Sequence, residues 1–581
     1  MIVGMKKVIT VMTAMLLFAA TVAAQSIVPA EWKFLTGDKP EYIDSAKNEY
    51  WWKDISPLTV WERQGFPGYD GFAWYRVKVV VPASMKKNAE KYDGLMLNLG
   101  KIDDADETFF NGHKVGATGK MPPDYAGAYD VPRTYLIPPD YVNWGGKNTI
   151  AVRVYDAGGD GGLYGGPAEL TNRGNPDLLT LGTLFAQEDM ILKGSPDVEI
   201  LTTVKSEFRK KYRGALTLKI VTDFGEQVYD GYHDVAVKKM SSGNFPFLVK
   251  NLKPGFYKAT LALQSKMGNK KYSFNFGYEP EKIVSPADPQ PDFAEFWQRA
   301  KAELATVDPR YNLIRIDSLC TEKHDVYLVE MRSLGNALIR GWYRVPVKPG
   351  RYPAIMQVPG YSSVEVPSYV NYGDDIIGFA LNIRGHGNSK DDVNPGFPGY
   401  ILSNLGDKEK YIYRGAYMDC VRGIDFLCSR PEVDASRIAV EGASQGGALT
   451  FATAALANDR IAVCAPQVPF LSDFRDYFRV ANWPGNEFID LVENKKALTW
   501  DQAYYTLSYF DIKNLAPMIK APLIMGAGLM DEVCPPHINF AAFNLVTAEK
   551  KYIVYPYAGH GLPDHFYQAK MDWIRTKLGL N

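Results

Sequence analysis

Histidine and cysteine are both scarce in this 581-residue chain, which holds seven of the first and five of the second. The cysteines, Cys320, Cys420, Cys428, Cys464 and Cys534, are odd in number and confined to the C-terminal half. They lack the close pairs of a zinc site or a small disulfide scaffold. Cys420 and Cys428 sit eight apart in a helix-like segment, about 12 Å of rise and too far to bridge, so buried free thiols are expected. Net charge is almost absent: 65 Lys and Arg against 66 Asp and Glu leave −1. No global field therefore draws the chain to nucleic acid or to an anionic membrane. After Ala24 no apolar stretch is long enough to span a bilayer. With no ligand cluster of metal spacing, neither a metal nor an organic cofactor is expected.

What is present is core material. Hydrophobic residues make up 46% and aromatics 13% of the chain, the composition of a folded protein, and the length predicts about three domains. Lys6 and Lys7 precede an apolar run from Val8 to Ala24 that ends in small residues and passes into Gln25 and Ser26. This is the pattern of an export signal at 1–24, cleaved after Ala24. A periplasmic or secreted protein with no membrane contact after cleavage is expected.

From Glu31 to about Pro167 short strands alternate with Gly and Pro turns, as in Phe72 to Val81 stopped by Pro82, and predict an all-β sandwich over 25–172. Trp51, Trp52, Trp61 and Trp74 can stack on sugar rings, but aromatics on strands more often fill a core, and that is the expectation. Asp156 and Asp160 flank a glycine-rich stretch that reads as a turn in preference to a calcium loop. Gly71 to Arg76, Leu99 to Glu107, Phe110 to Gly116 and Ala151 to Tyr155 resemble the jelly-roll "sugar-binding" domain of family 2 glycosidases and sialate esterases. Such domains often act as scaffolds.

A second run of alternation, including Ala215 to Val221 and Phe256 to Leu263, predicts an immunoglobulin-like β-sandwich over 190–282, by default a spacer. Proline-rich Ser285 to Pro291 reads as a stiff linker before a helix at Phe293 to Leu304. Over 286–581 short apolar strands at Ile355–Val358, Ile376–Ile383, Ile438–Val440, Pro522–Met525 and Tyr552–Val554 alternate with helical segments at 417–427 and 448–457. That order predicts an α/β-hydrolase with a mostly parallel sheet.

The chemistry concentrates at Gly442-Ala443-Ser444-Gln445-Gly446, a G-x-S-x-G turn between strand and helix that lifts a serine hydroxyl over the sheet edge. A serine needs a histidine base and a carboxylate to orient it. Asp531 follows one later strand and His560 the next, in the order Ser, Asp, His. His537 lies too near Asp531 in sequence to come from the next loop, and His565 begins the last helix, so Ser444, Asp531 and His560 are the expected triad.

The C-terminal half also resembles the acetyl xylan esterase and cephalosporin C deacetylase family. The resemblance rests on Phe293 to Trp297, Ile339 to Tyr343, Arg384 to Ser389, Tyr413 to Asp419, Gly442 to Gly447, Pro469 to Asp473, Thr506 to Asp511 and Asp531 to Pro536. It implies the same triad, and implies that the backbone N–H groups of Gln445 and Tyr361 form the oxyanion hole. Three positions depart from the family pattern of His-Gly-Tyr, Arg-Gly-Gln-Gly and Gly-His-Glu: Pro359 before Gly360-Tyr361, His386 in Arg384-Gly385-His386-Gly387, and Gly561 after His560. The expected activity is removal of acetyl groups from acetylated oligosaccharides or polysaccharides by a serine esterase. An α/β-hydrolase peptidase, or a carbohydrate-binding protein with a decayed hydrolase half, are the rivals. The β domains are expected to wall the active-site mouth or to build a homo-oligomer interface.

Overall fold

The computed structural model describes residues 27–43, 49–91, 93–166, 168–171, 178–208, 210–265, 269–361 and 370–580. The expected export signal and its cleavage point at Ala24 lie outside these residues, as does Pro167. Among the described residues no helix is long and apolar enough to cross a membrane.

The first β unit contains a six-stranded antiparallel sheet and a smaller four-stranded one. Its longest strands, Gly71–Val80 and Lys147–Asp156, pair along their whole length. The two-residue repeat explains why a single strand serves two cores. Ile150, Val152 and Val154 point into the main one, with Phe34, Trp61, Tyr75, Leu97 and Leu163. Ala151, on the other face, packs with Trp74 under Trp52. Trp52, Trp61 and Trp74 are therefore core residues, as expected. Trp51 is not: it is 77% exposed and stands edge-on to Tyr50, 4.8 Å between centroids.

The second unit pairs Leu179–Leu184, Val198–Ser206 and Ser241–Val249 in one sheet. Ile191–Leu192, Lys270–Tyr278, Gly255–Gln264, Tyr212–Thr222 and Gln227–Val237 form the other. The strand Leu179–Leu184 pairs with Val198–Ser206 and so extends this unit ahead of the expected start at 190.

The C-terminal region is built on nine strands, β1 (Asn312–Arg315), β2 (His324–Arg332), β3 (Leu338–Pro346), β4 (Tyr352–Gln357), β5 (Ile377–Asn382), β6 (Val433–Ala443), β7 (Val463–Gln467), β8 (Leu523–Gly528) and β9 (Lys550–Tyr555). Their spatial order is β1-β2-β3-β5-β4-β6-β7-β8-β9. The first three and the β3/β5 pair are antiparallel, and every pairing from β5 to β9 is parallel. Helices α1 (Phe293–Thr306), α2 (Ile412–Ser429), α3 (Gln445–Leu456), α4 (Pro536–Leu545) and α5 (Asp564–Lys577) accompany this α/β-hydrolase-type sheet. β5 is buried at every position, which is why it reads as an unbroken apolar run.

The middle unit is more than a spacer. Its buried residues share one continuous core with one face of the C-terminal sheet, whose other face packs a smaller core of its own around Ile355, Ala439 and Ile574, whereas the first unit keeps its cores to itself. Phe256 meets Phe540 of α4 at 5.4 Å between centroids. Beside them His537 lies 2.8 Å from Asp223 and 3.4 Å from Asp476. Burial alone would lower the pKa of His537, but the two carboxylates outweigh it and raise it to about 9. The proline-rich stretch is likewise docked: Asp288 N donates to Asn514 and Gln290 to Ser508. Beyond it, Trp297 of α1 is fully buried and donates to Tyr509 O at 3.2 Å.

Among the cysteines, Cys420, Cys464 and Cys534 are buried, while Cys320 and Cys428 are half-buried, and all five are free thiols. The shared core generates a prediction. Phe256→Ala should remove about 3–4 kcal/mol from the unit formed by the middle domain and hydrolase. In scanning calorimetry it should lower the transition of that unit and leave the transition of the first β unit in place.

Candidate active site

Three successive parallel pairings in the sheet deliver the chemistry, because β6, β8 and β9 all release their chains at the same edge. Ser444 follows β6 directly and precedes α3. Its backbone has φ 62° and ψ −122°, a region L-residues avoid, at a cost of about 1–3 kcal/mol. Packing holds the turn there. A Cβ on Gly446 would come 2.5 Å from Val358 O, and one on Gly442 2.7 Å from Gly446 O, so both glycines are needed for the close approach. Ser444 N donates to Gln467 O at 2.9 Å, and Ser444 O accepts from Phe470 N at 3.0 Å.

Asp531 and His560 meet. His560 Nδ1 lies 2.9 Å from Asp531 Oδ2, and the Asp531 side chain is completely buried while that of His560 is 34% exposed. The other carboxylate oxygen accepts from Val533 N and Cys534 N, each at 2.8 Å. This local turn aims the acid. The two loops are also stitched together by Leu529 N donating to Tyr555 O and Met530 N to Ala558 O. The middle β unit reaches this point too, with Asn275 Nδ2 donating to Leu529 O at 2.6 Å.

Ser444 joins the same loop through a residue read from sequence only as a buried thiol. The Cys534 side chain contacts the Ser444 hydroxyl. Burial and the charge of Asp531 hold that thiol well above its ordinary pKa, against a smaller opposing effect of the hydroxyl. Among the described residues the Ser444 hydroxyl makes no hydrogen bond to His560. The other two histidines that follow Asp531 are engaged elsewhere: His537 with Asp223 and Asp476, His565 edge-on to Tyr555 at 4.7 Å.

Gln445 is fully buried at the start of α3. Its side-chain oxygen accepts from Tyr413 OH at 2.6 Å, and its amide nitrogen reaches His386 Nε2 at 2.9 Å and the carbonyls of Pro359 and Gly360 at 3.3 Å. His386 and Pro359, two departures from the expected pattern, are thus both partners of this one side chain. His386 stands on a turn fixed by the buried Arg384–Asp419 pair at 2.7 Å. Burial lowers its pKa to about 4, so at neutral pH its Nε2 is free to accept the Gln445 proton. Tyr361 presents its hydroxyl to both Glu487 oxygens at 3.2 Å and its ring to Phe397 and Trp483. Among the described residues the backbone N–H groups of Gln445 and Tyr361 donate to nothing. Gly561, the third departure, is exposed with open space about it, leaving His560 without an acidic neighbour in sequence.

A profile of the acetyl xylan esterase (AXE1) family matches residues 278–577. Acetyl esterase Axe7A of Xylanibacter ruminicola is 27% identical over 341 residues, 56% of this chain and 75% of that protein. Among solved structures, acetyl xylan esterase 1 of a Thermoanaerobacterium species is 29% identical, with a TM-score of 0.47, and covers 51% of this chain and 97% of its own. An acetyl xylan esterase from a Paenibacillus species is 32% identical, with a TM-score of 0.48, over 51% of this chain and 98% of its own.

The His386 contact yields a pH prediction. Because its folded pKa lies below the ordinary value near 6.5, its contribution to stability is complete above pH 6.5 and disappears as pH falls through about 4. Wild type measured against His386→Gln in urea unfolding should therefore lose on the order of 3 kcal/mol of relative stability between those limits.

Proposed function

Since the chain belongs to the acetyl xylan esterase family and is a carboxylic ester hydrolase, we propose that it removes acetyl groups from acetylated saccharides through an acyl-enzyme on Ser444. The observation that carries this reading is the convergence of a serine at positive φ with the Asp531–His560 pair at one sheet edge. His560 Nε2 takes the Ser444 proton as Oγ attacks the acetyl carbonyl. Asp531 holds Nδ1–H and stabilises the imidazolium. The oxyanion sits between the backbone N–H groups of Gln445 and Tyr361, the first at the positive end of α3. Collapse expels the sugar alkoxide, which takes the proton from His560. A water activated by the same imidazole then releases acetate and restores Ser444.

In this scheme Tyr413 and His386 fix Gln445 so that its backbone donor stays aimed. The ring of Trp483, 43% exposed beside Tyr361, offers a sugar-facing surface at the rim. The domain reading is part of the proposal: an export signal at 1–24, a jelly roll over 25–172, an immunoglobulin-like sandwich over about 178–282 and the esterase over 286–581. Export places the enzyme in the periplasm or outside the cell, where oligosaccharides trimmed by other hydrolases are at hand.

Ser444→Ala and His560→Ala should each lower kcat on an aryl acetate by at least about 10³-fold with the fold intact, and Asp531→Asn nearly as much. Near wild-type turnover in either of the first two overturns the triad. A fluorophosphonate probe should label wild type and not Ser444→Ala. Asn275→Ala, which frees the acid loop on the side of the middle unit, should lower kcat about 10-fold with KM within about twofold, and should shift the acidic limb of the kcat/KM pH profile.

A further inference from the structure

The first β unit carries a charge arrangement that the esterase reaction does not use. Asp103, at the end of the strand Leu95–Asp103, its neighbour Asp104, and Asp156, at the end of Lys147–Asp156, each bring a ligand atom within 4.8 Å of the others. Among the described residues no Lys or Arg side chain pairs with any of the three carboxylates. Asp104 Oδ2 accepts from Tyr125 OH at 2.7 Å and Ala157 N at 3.0 Å. Asp156 Oδ1 accepts from Gly158 N at 3.0 Å. Asp156 is completely buried, and its Oδ2 has no hydrogen-bond partner at all. A buried carboxylate oxygen left unsatisfied costs several kcal/mol unless something else compensates it.

The surroundings deepen the deficit. Burial, followed by the nearby acids Asp104, Asp70 and Glu62, raises the Asp156 pKa to about 6, against a backbone hydrogen bond from Gly158 that lowers it. Burial and the adjacent Asp104, Asp156 and Asp160 raise that of Asp103 to about 7. Gly161 folds tightly over the orphan oxygen: a Cβ there would stand 2.6 Å from Asp156 Oδ2 and 2.3 Å from Trp61 Cζ2. Gly161 N donates to Glu62, whose other oxygen is also buried and unpartnered. The contrast with the second acid and histidine cluster is instructive. There Asp473 is paired with Lys513 at 3.0 Å, and Asp476 with Arg479 at 2.9 Å and His537 at 3.4 Å. Among the described residues the protein supplies cations at one cluster and none at the other.

We propose that Asp103, Asp104 and Asp156 hold a divalent cation of the calcium type, which ties the glycine-rich turn after Asp156 to the strand ending at Asp103. The donor set is oxygen only and hard, and it gathers on loops without the strict octahedral spacing magnesium demands. The site is structural and lies apart from the proposed triad, so the esterase reading stands or falls without it.

The test uses the full-length protein dialysed against EDTA and then titrated with terbium, whose luminescence Trp61 is placed to sensitise. A saturable signal displaced by calcium is expected, with magnesium at least about 10-fold weaker. In scanning calorimetry, saturating calcium should raise the transition of the first β unit by roughly 5 °C. Asp156→Asn and Asp103→Asn should each weaken terbium binding at least about 10-fold, and aryl acetate turnover by Asp103→Asn should equal that of wild type. Should Asp156→Asn fail to fold, the titration of wild type and of half-buried Asp103→Asn decides the matter. Absence of saturable binding, or equal affinity in wild type and Asp103→Asn, overturns the proposal. Equal affinity for magnesium overturns the assignment to calcium.

Discussion

The turn at Ser444 is the constraint around which the C-terminal half is organised. Its backbone sits in a region that side chains disfavour and returns to ordinary geometry if released, so the neighbours have to over-determine it. They do so from four directions. The residue after β4 supplies Val358 O against Gly446, and β7 supplies Gln467 O to Ser444 N. α3 starts immediately behind, and the Arg384–Asp419 pair fixes the turn whose His386 locks Gln445. Under the strand, buried Glu441 accepts from Lys570 of α5 at 2.6 Å, so the last helix of the chain also secures the residue three before the serine. Removing one partner of a buried pair of this kind leaves the other charge uncompensated, so the contact is costly to lose.

The middle β unit belongs to this organisation. A separate sandwich on a flexible tether would contribute effective concentration and little else. Here its strands face α4, its Asp223 shares a histidine with the hydrolase, and its Asn275 bonds the carbonyl two residues before Asp531. The hydrolase accordingly begins, physically, well before the helix at Phe293.

Much of this was legible in the sequence because the signals were periodic or ordered. Strands β4, β5, β6, β8 and β9 appeared as short apolar runs, while five-residue β7, broken by Pro466, did not, and the triad candidates appeared as strand-end residues in a fixed order. Trp74 lies on a strand, where an aromatic is expected to fill a core, whereas Trp51, Trp52 and Trp61 lie outside strands, where alternation carries no information and cannot separate exposed Trp51 from buried Trp52 and Trp61. β1 to β3, half-buried and antiparallel, have no continuous apolar run to announce them. Cys534 looked like packing because its neighbour in space, Ser444, is ninety residues away in sequence. The grouping of Asp103 and Asp104 with Asp156, in place of Asp160, depends on which two strand ends meet, and no local pattern encodes that. The fusion of two cores was equally hidden: Phe256 read only as the start of an alternating run, and nothing in the sequence set it against Phe540.

A core shared by the middle β unit and the C-terminal sheet, beside a first unit whose interior closes on itself, also governs how such a gene can be rearranged. A crossover that swaps the first β unit for another module leaves both interiors whole, and selection sees only the new surface. A crossover between Tyr278 and Phe293 would pair one lineage's Phe256 with another's Phe540 and split an interior in two. The boundary most visible in the sequence, its run of prolines, is thus the one least suited to recombination, and the two halves it separates are bound to change together.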